Sequence, residues 1–158
     1  MKKILVFLLL IIIIGGLVIS SSQTYEQQSL VSTLKQLLPS EPGKSALSTL
    51  EFTYWNRPIS VEERGYYHFV EFLIRKAAHF MTFGLLALLI YSLWPKKKGR
   101  LLGSALLTLL FACADELHQS FTGGRTATIQ DVYLDMAGAL TFLFLATIIQ
   151  ACRKSERK

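Results

Sequence analysis

Four apolar stretches of membrane-spanning length divide the chain, and they restrict what it can fold into more than any other feature. A helix needs about 20 apolar residues to cross a bilayer core of ~30 Å, and only helices or closed barrels satisfy their backbone groups there. The stretches lie at about 4–20, 72–94, 101–121 and 129–150, and they predict an all-α integral membrane bundle of four transmembrane helices. An apolar share of 51 % would suit a soluble protein too. Its concentration in blocks is what excludes one.

The blocks define the organisation. Residues 1–22 open with Lys2 and Lys3 and then run from Ile4 to Ile14 without a polar side chain. This core exceeds the ~7–15 residues of a signal peptide, so an N-terminal anchor is expected, with a signal peptide cut near Ser20-Ser21-Ser22 as the alternative. Residues 23–70 form a polar, partly helical segment. Thr24 and Gln27 match a capping box for a helix presenting Leu30, Val31, Leu34, Leu37 and Leu38, which Pro39, Pro42 and Gly43 end. The aromatic patch from Leu50 to Trp55 suits lipid headgroups. As a whole the segment is either a cap facing a substrate or a spacer. Ser60 and Glu63 repeat the capping-box pattern and open the long helix that becomes the second span. Residues 71–151 make a three-helix membrane domain, in which the short loop from Thr122 to Ala127 makes the last two spans antiparallel neighbours. Thr128 with Asp131 caps the last helix, and 152–158 is a basic tail.

Orientation follows from the basic residues. The amino terminus, the loop from Lys96 to Arg100 and the carboxyl tail hold two, four and four of the 17 Lys and Arg residues. Since such residues accumulate on the cytoplasmic side, both termini are expected inside a bacterial cytoplasmic membrane, with residues 23–70 and the Thr122 loop outside. The net charge of +6 is accounted for in this way, and no nucleic-acid partner is implied. Cys113 and Cys152 lie in separate apolar helices and read as small hydrophobes, without a disulfide framework.

Against this background the ionisable groups inside the spans stand out. Each costs about 2.5 kcal/mol or more at the bilayer centre, so it is expected to face protein or a watery cavity. On the second span Arg75, Lys76 and His79 occupy one third of the helix circumference. On the third, Asp115, Glu116 and Gln119 share a face with His118 beside it; on the fourth, Asp131, Asp135 and Gly138 align. The topology puts all of these, with Arg125 of the loop, at one extracytoplasmic level. Arg75, Lys76 and Arg125 should then meet Asp115, Glu116, Asp131 and Asp135, because an unpaired buried charge does not persist. Gly138 would let a neighbouring helix come close.

Three uses of such a cluster remain open from the residues. It can bind the headgroup of a membrane lipid or a lipid-linked precursor; it can perform acid–base chemistry with Glu116, Asp115, His79 or His118 as candidate catalytic groups; or it can simply tie three helices together. No activated nucleophile stands out, and four spans without an evident repeat are few for a proton-coupled transporter. His79, Glu116, His118 and Asp131 have the chemistry of metal ligands. Glu116 and His118, however, diverge by about 200° on one helix, unlike the paired histidines of a helical zinc motif. No metal and no cofactor are therefore expected.

These residues also carry a resemblance. Arg75-Lys76-Ala77-Ala78-His79-Phe80, the run from Asp115 to Phe121, and Arg125 with Asp131 and Gly138 resemble, in order, the VanZ-like family of bacterial membrane proteins, over about Phe72 to Leu145. The resemblance implies a role in the cell envelope, since the family is named after an accessory protein of glycopeptide resistance that reduces susceptibility to teicoplanin. It does not imply a reaction. The chain departs from the pattern at Gly123-Gly124, where a proline commonly accompanies the glycine, and at Asp135, where asparagine is expected and the acid adds a negative charge.

Overall fold

The computed structural model describes residues 2–54, 56–122 and 128–156. Seven helices and one hairpin follow in the order α1 (Lys2–Ser21), α2 (Val31–Leu37), α3 (Lys44–Leu47), β1 (Phe52–Tyr54), β2 (Arg57–Ile59), α4 (Val61–Arg64), α5 (Tyr66–Leu93), α6 (Arg100–Ser120) and α7 (Ile129–Ser155). Helices α1, α5, α6 and α7 are long and apolar enough to cross a membrane, and the chain is mainly helical as expected. The sheet is a two-stranded antiparallel ribbon pairing Phe52 with Ile59 and Tyr54 with Arg57.

The four spans show the inverted surface of a membrane bundle. Large apolar side chains such as Ile4 and Ile12 of α1, Leu102 and Leu110 of α6 and Phe144 of α7 are exposed. Small polar ones, Ser104 and Thr108 of α6, are buried. Each of those hydroxyls donates to the carbonyl four residues earlier, at 2.8 Å, so it satisfies itself within the helix and leaves a thin interface. Helix α1 belongs to the bundle: Leu10, Ile13, Ile14 and Leu17 pack against a core of Phe83, Leu86, Ile90, Ala112 and Val132.

Helices α5 and α7 run parallel and in contact along their lengths, from Lys76 beside Asp131 at one end to Tyr91 beside Gln150 at the other. Gly138 permits the approach as expected, since a Cβ there would collide with the Phe80 carbonyl oxygen. Gly84 likewise makes room for the Phe142 ring. At the end away from the ribbon, Lys96, Arg100, Arg153 and Lys154 line an open basic cavity of about 520 Å³.

Helix boundaries differ from the sequence reading in four places. The Thr24–Gln27 capping box forms, with Thr24 N–H donating to Gln27 Oε1 at 2.9 Å and Gln27 N–H to Thr24 Oγ1 at 3.3 Å, but it closes only a turn. Helix α2 starts later, at Val31, without a side-chain cap. Ser60 accepts from Glu63 N–H at 3.2 Å and caps the single turn of α4; Gly65, at φ 77°, then interrupts the chain and α5 begins afresh at Tyr66. Cys152 to Ser155, read as tail, continue α7. The patch before Trp55, which itself lies outside the described residues, folds back as β1. Phe52 packs on the Phe69 and Phe72 rings at 6.3 and 6.0 Å, and Tyr54 meets Phe72 edge-on at 5.5 Å.

Candidate functional site

The ends of α1, α6 and α7, an inner stretch of α5 and the ribbon meet at one level. Along the α5–α7 seam, Lys76 Nζ donates to Asp131 Oδ1, and the Tyr54 hydroxyl donates to the same oxygen. The Lys76 ammonium also lies 4.6 Å over the Tyr54 ring. Thr128 caps α7 as expected, accepting from Asp131 N–H at 3.3 Å. One turn deeper, His79 Nδ1 lies 3.4 Å from Asp135 Oδ1, within ion-pair distance but without hydrogen-bond geometry. The i, i+3 spacing of Lys76 and His79 thus matches the i, i+4 spacing of Asp131 and Asp135 across the seam.

Helix α6 supplies the third wall. Asp115 Oδ1 accepts from the Ser21 hydroxyl of α1, and its Oδ2 accepts from Gln119 Nε2 at 2.7 Å. Glu116 Oε2 accepts from the Thr128 backbone N–H at 3.0 Å, tying α6 to the start of α7. His118 is half-buried, with Nε2 3.3 Å from Ser22 Oγ. Asp115, Glu116, Gln119 and Asp135 are buried. Arg125 lies outside the described residues.

Arg75 departs from the expected pairing. It does not reach across to the carboxylates of α6 or α7 but turns along its own helix, with Nη1 4.0 Å from Glu71 Oε1. Its Nη2 donates to Gln28 Oε1, and the guanidinium stacks 4.9 Å over Tyr25. Glu71, wholly buried, anchors this second network by accepting from Leu30 N–H at 2.7 Å and from the Tyr25 hydroxyl at 3.2 Å. These contacts pack the segment onto the bundle as a cap: Tyr25, Gln28, Leu30 and Tyr54 all close on charged groups of the spans.

Sequence reasoning passed over Ser21, Tyr54 and Glu71 as parts of this arrangement, and read Thr128 only as the cap of the last helix. Glu71 carried a signal, being an acid among Phe69, Val70, Phe72 and Leu73 and four residues before Arg75. Ser21 was legible only as a cleavage-site residue, and Tyr54 only as an interfacial aromatic. Burial, reinforced by the hydrogen bond to Asp131 and its negative charge, holds the Tyr54 phenol well above its ordinary range. Burial, then the charge of Glu71, raises that of Tyr25.

A cavity of about 340 Å³ runs between α1 and α5 beside these groups. Ile12, Ile13 and Leu17 form apolar wall, and Ser20, His79 and Thr82 provide polar atoms. The arrangement thus combines an apolar slot, two cations already held by acids, and carboxylates and imidazoles able to donate, accept or transfer protons.

No curated protein and no solved structure matches the chain. The family match is wider than the motifs around the site: it begins within α1 and takes in the segment ahead of Phe72 that the motif resemblance left out. Residues 6–150 match the family model described as VanZ/LLP1, and the chain belongs to the VanZ/LLP1 family of membrane proteins.

Proposed function

We propose that the protein binds the headgroup of a membrane lipid, or of a lipid-linked wall precursor, at the outer leaflet of the bacterial cytoplasmic membrane, and thereby alters susceptibility to teicoplanin-type glycopeptides. The observation that carries this reading is the α1–α5 cavity, in which apolar wall from Ile12 to Leu17 leads to Ser20 and His79 at the charged level. A slot of that make-up suits a hydrocarbon chain whose polar end lies among Lys76, Asp131 and Asp115. Retaining so many ionisable groups in a membrane is costly unless a polar ligand uses them. The basic residues at the opposite end of the bundle support an orientation with the site outside.

The test is native mass spectrometry of the detergent-purified full chain, with teicoplanin susceptibility of cells expressing it at matched level. A retained phosphate-bearing lipid, lost in Lys76→Gln and Glu116→Gln variants that also lose the susceptibility effect, is the expected result. Wild-type behaviour of Glu116→Gln and Arg125→Ala in both assays would sink the reading.

One observation favours acid–base catalysis as the alternative, namely the His79–Asp135 pair with Asp115 beside it. That reading requires an altered lipid or wall-precursor species in cells lacking the protein. If the network only tied helices together, neutral, volume-matched replacements across it would preserve both folding and phenotype.

A further inference from the structure

The possible metal ligands that converge at this level are not the set singled out from the sequence. Of the four side chains with metal-ligand chemistry singled out there, three are engaged elsewhere: Asp131 with Lys76 and Tyr54, Glu116 with the Thr128 N–H, and His118 near Ser22. The fourth, His79, instead faces Asp135 of α7 and Asp115 of α6, and one ligand atom from each of the three lies within 4.8 Å of the others.

We propose that His79, Asp115 and Asp135 form a binding site for a divalent transition-metal ion such as zinc or manganese. The proposal does not rest on the lipid reading. Its first support is electrostatic. Two carboxylates, 8 % and 1 % exposed, lie together in a membrane bundle, and among the described residues no Lys or Arg forms an ion pair with either. Charges so placed require neutralisation; a protonated His79 beside Asp135 answers only one of them, whereas a divalent cation supplies it for both at once.

The second support is geometric. Asp135 Oδ1 and His79 Nδ1 are buried atoms 3.4 Å apart, in ion-pair range of each other, yet neither makes a hydrogen bond of normal geometry. Buried polar atoms are rarely left so. Two ligands that share a tetrahedral ion at about 2.1 Å stand about 3.4 Å apart, each aimed at the ion rather than at the other. One imidazole with two carboxylates suits zinc or manganese better than the all-oxygen sites of calcium or magnesium. Around Asp115, Ser21 and Gln119 each donate to one carboxylate oxygen. Such outer contacts are what orient a ligating carboxylate. Three protein ligands leave a position open, as in sites where the ion takes a water or substrate oxygen.

The experiment strips the purified full chain with a chelator, re-equilibrates it with Zn(II), Mn(II) or Mg(II), and measures bound metal by inductively coupled plasma mass spectrometry and Tm by differential scanning fluorimetry. Wild type should bind one zinc or manganese ion per chain and gain Tm with it, through mass action. Glu62→Gln, which removes an exposed carboxylate of α4 outside the cluster, should bind equally. Gln119→Ala should bind about 10–100-fold more weakly, and His79→Ala and Asp135→Asn should retain none. Wild type that takes up neither zinc nor manganese overturns the proposal even if every variant misfolds, and a shared proton between the carboxylates becomes the account. Equal binding by wild type and a folded Asp135→Asn overturns it too. Lipid retention is read separately and does not enter this outcome.

Discussion

Lys76 of α5 and Asp131 of α7 form an ion pair whose acceptor oxygen also takes the Tyr54 hydroxyl from the ribbon. Three elements distant in the chain are therefore joined at one carboxylate. Replacing Asp131 by Leu leaves Lys76 without its anion and should cost on the order of 3 kcal/mol, the lower end for a buried pair, because both side chains keep some exposure. The double replacement Lys76→Met with Asp131→Leu should recover most of that loss. Thermal unfolding in detergent decides it, and a double variant less stable than Asp131→Leu alone would refute the argument.

The Tyr54 phenol is held in its neutral form by burial and by Asp131. A group whose pKa is raised in the folded chain contributes stability that is complete below its ordinary pKa of about 10 and is lost as pH rises beyond it. Tyr54→Phe should lower stability by about 1 kcal/mol at neutral pH. The wild-type advantage should then shrink from about pH 10 upward. Parallel melts of both proteins across that range check the sign, and the difference between their phenolate absorbance titrations should show one tyrosine ionising late.

Glu71 holds the cap by accepting from Leu30 N–H and from Tyr25. Glu71→Ala strands that N–H and frees Arg75 from its nearest acid, so residues 23–60 should detach before the bundle melts. Limited proteolysis should cut the variant in this segment several-fold faster than wild type, with the membrane fragment intact.

Gly138 faces the backbone of Phe80, whereas Gly84 faces the ring of Phe142. A backbone cannot swing aside as a ring can. Gly138→Ala should therefore cost more than Gly84→Ala, within the ~1–3 kcal/mol typical of overpacking. Equal Tm losses for the two variants would contradict the packing described.

The proposed orientation is open to labelling in intact cells. With Cys113 and Cys152, both exposed, replaced by alanine, a single cysteine at Ser48 in the cap should react with a membrane-impermeant maleimide. One at Ser155 should react only after permeabilisation. The opposite pattern would invert the topology and move the site to the cytoplasmic face.

Much of this protein was legible in its sequence, for a local reason. Span length, the caps at Ser60 and Thr128, and the level at which charged residues gather depend on hydropathy and helical period, which a chain carries within a few turns. Gly138 could be recognised as a close approach because it continues the face of Asp131 and Asp135. Tertiary structure decided the partners. Helical period gives the relative angles of Arg75, Lys76 and His79 but not the rotation of α5 about its axis, and that rotation sends Arg75 to Glu71 and the cap while Lys76 and His79 meet α7. The same holds for Ser21 and Tyr54, which reach Asp115 and Asp131 across 94 and 77 residues of chain. Which acid meets which base is set by how four helices and a ribbon pack together, and no local pattern encodes that.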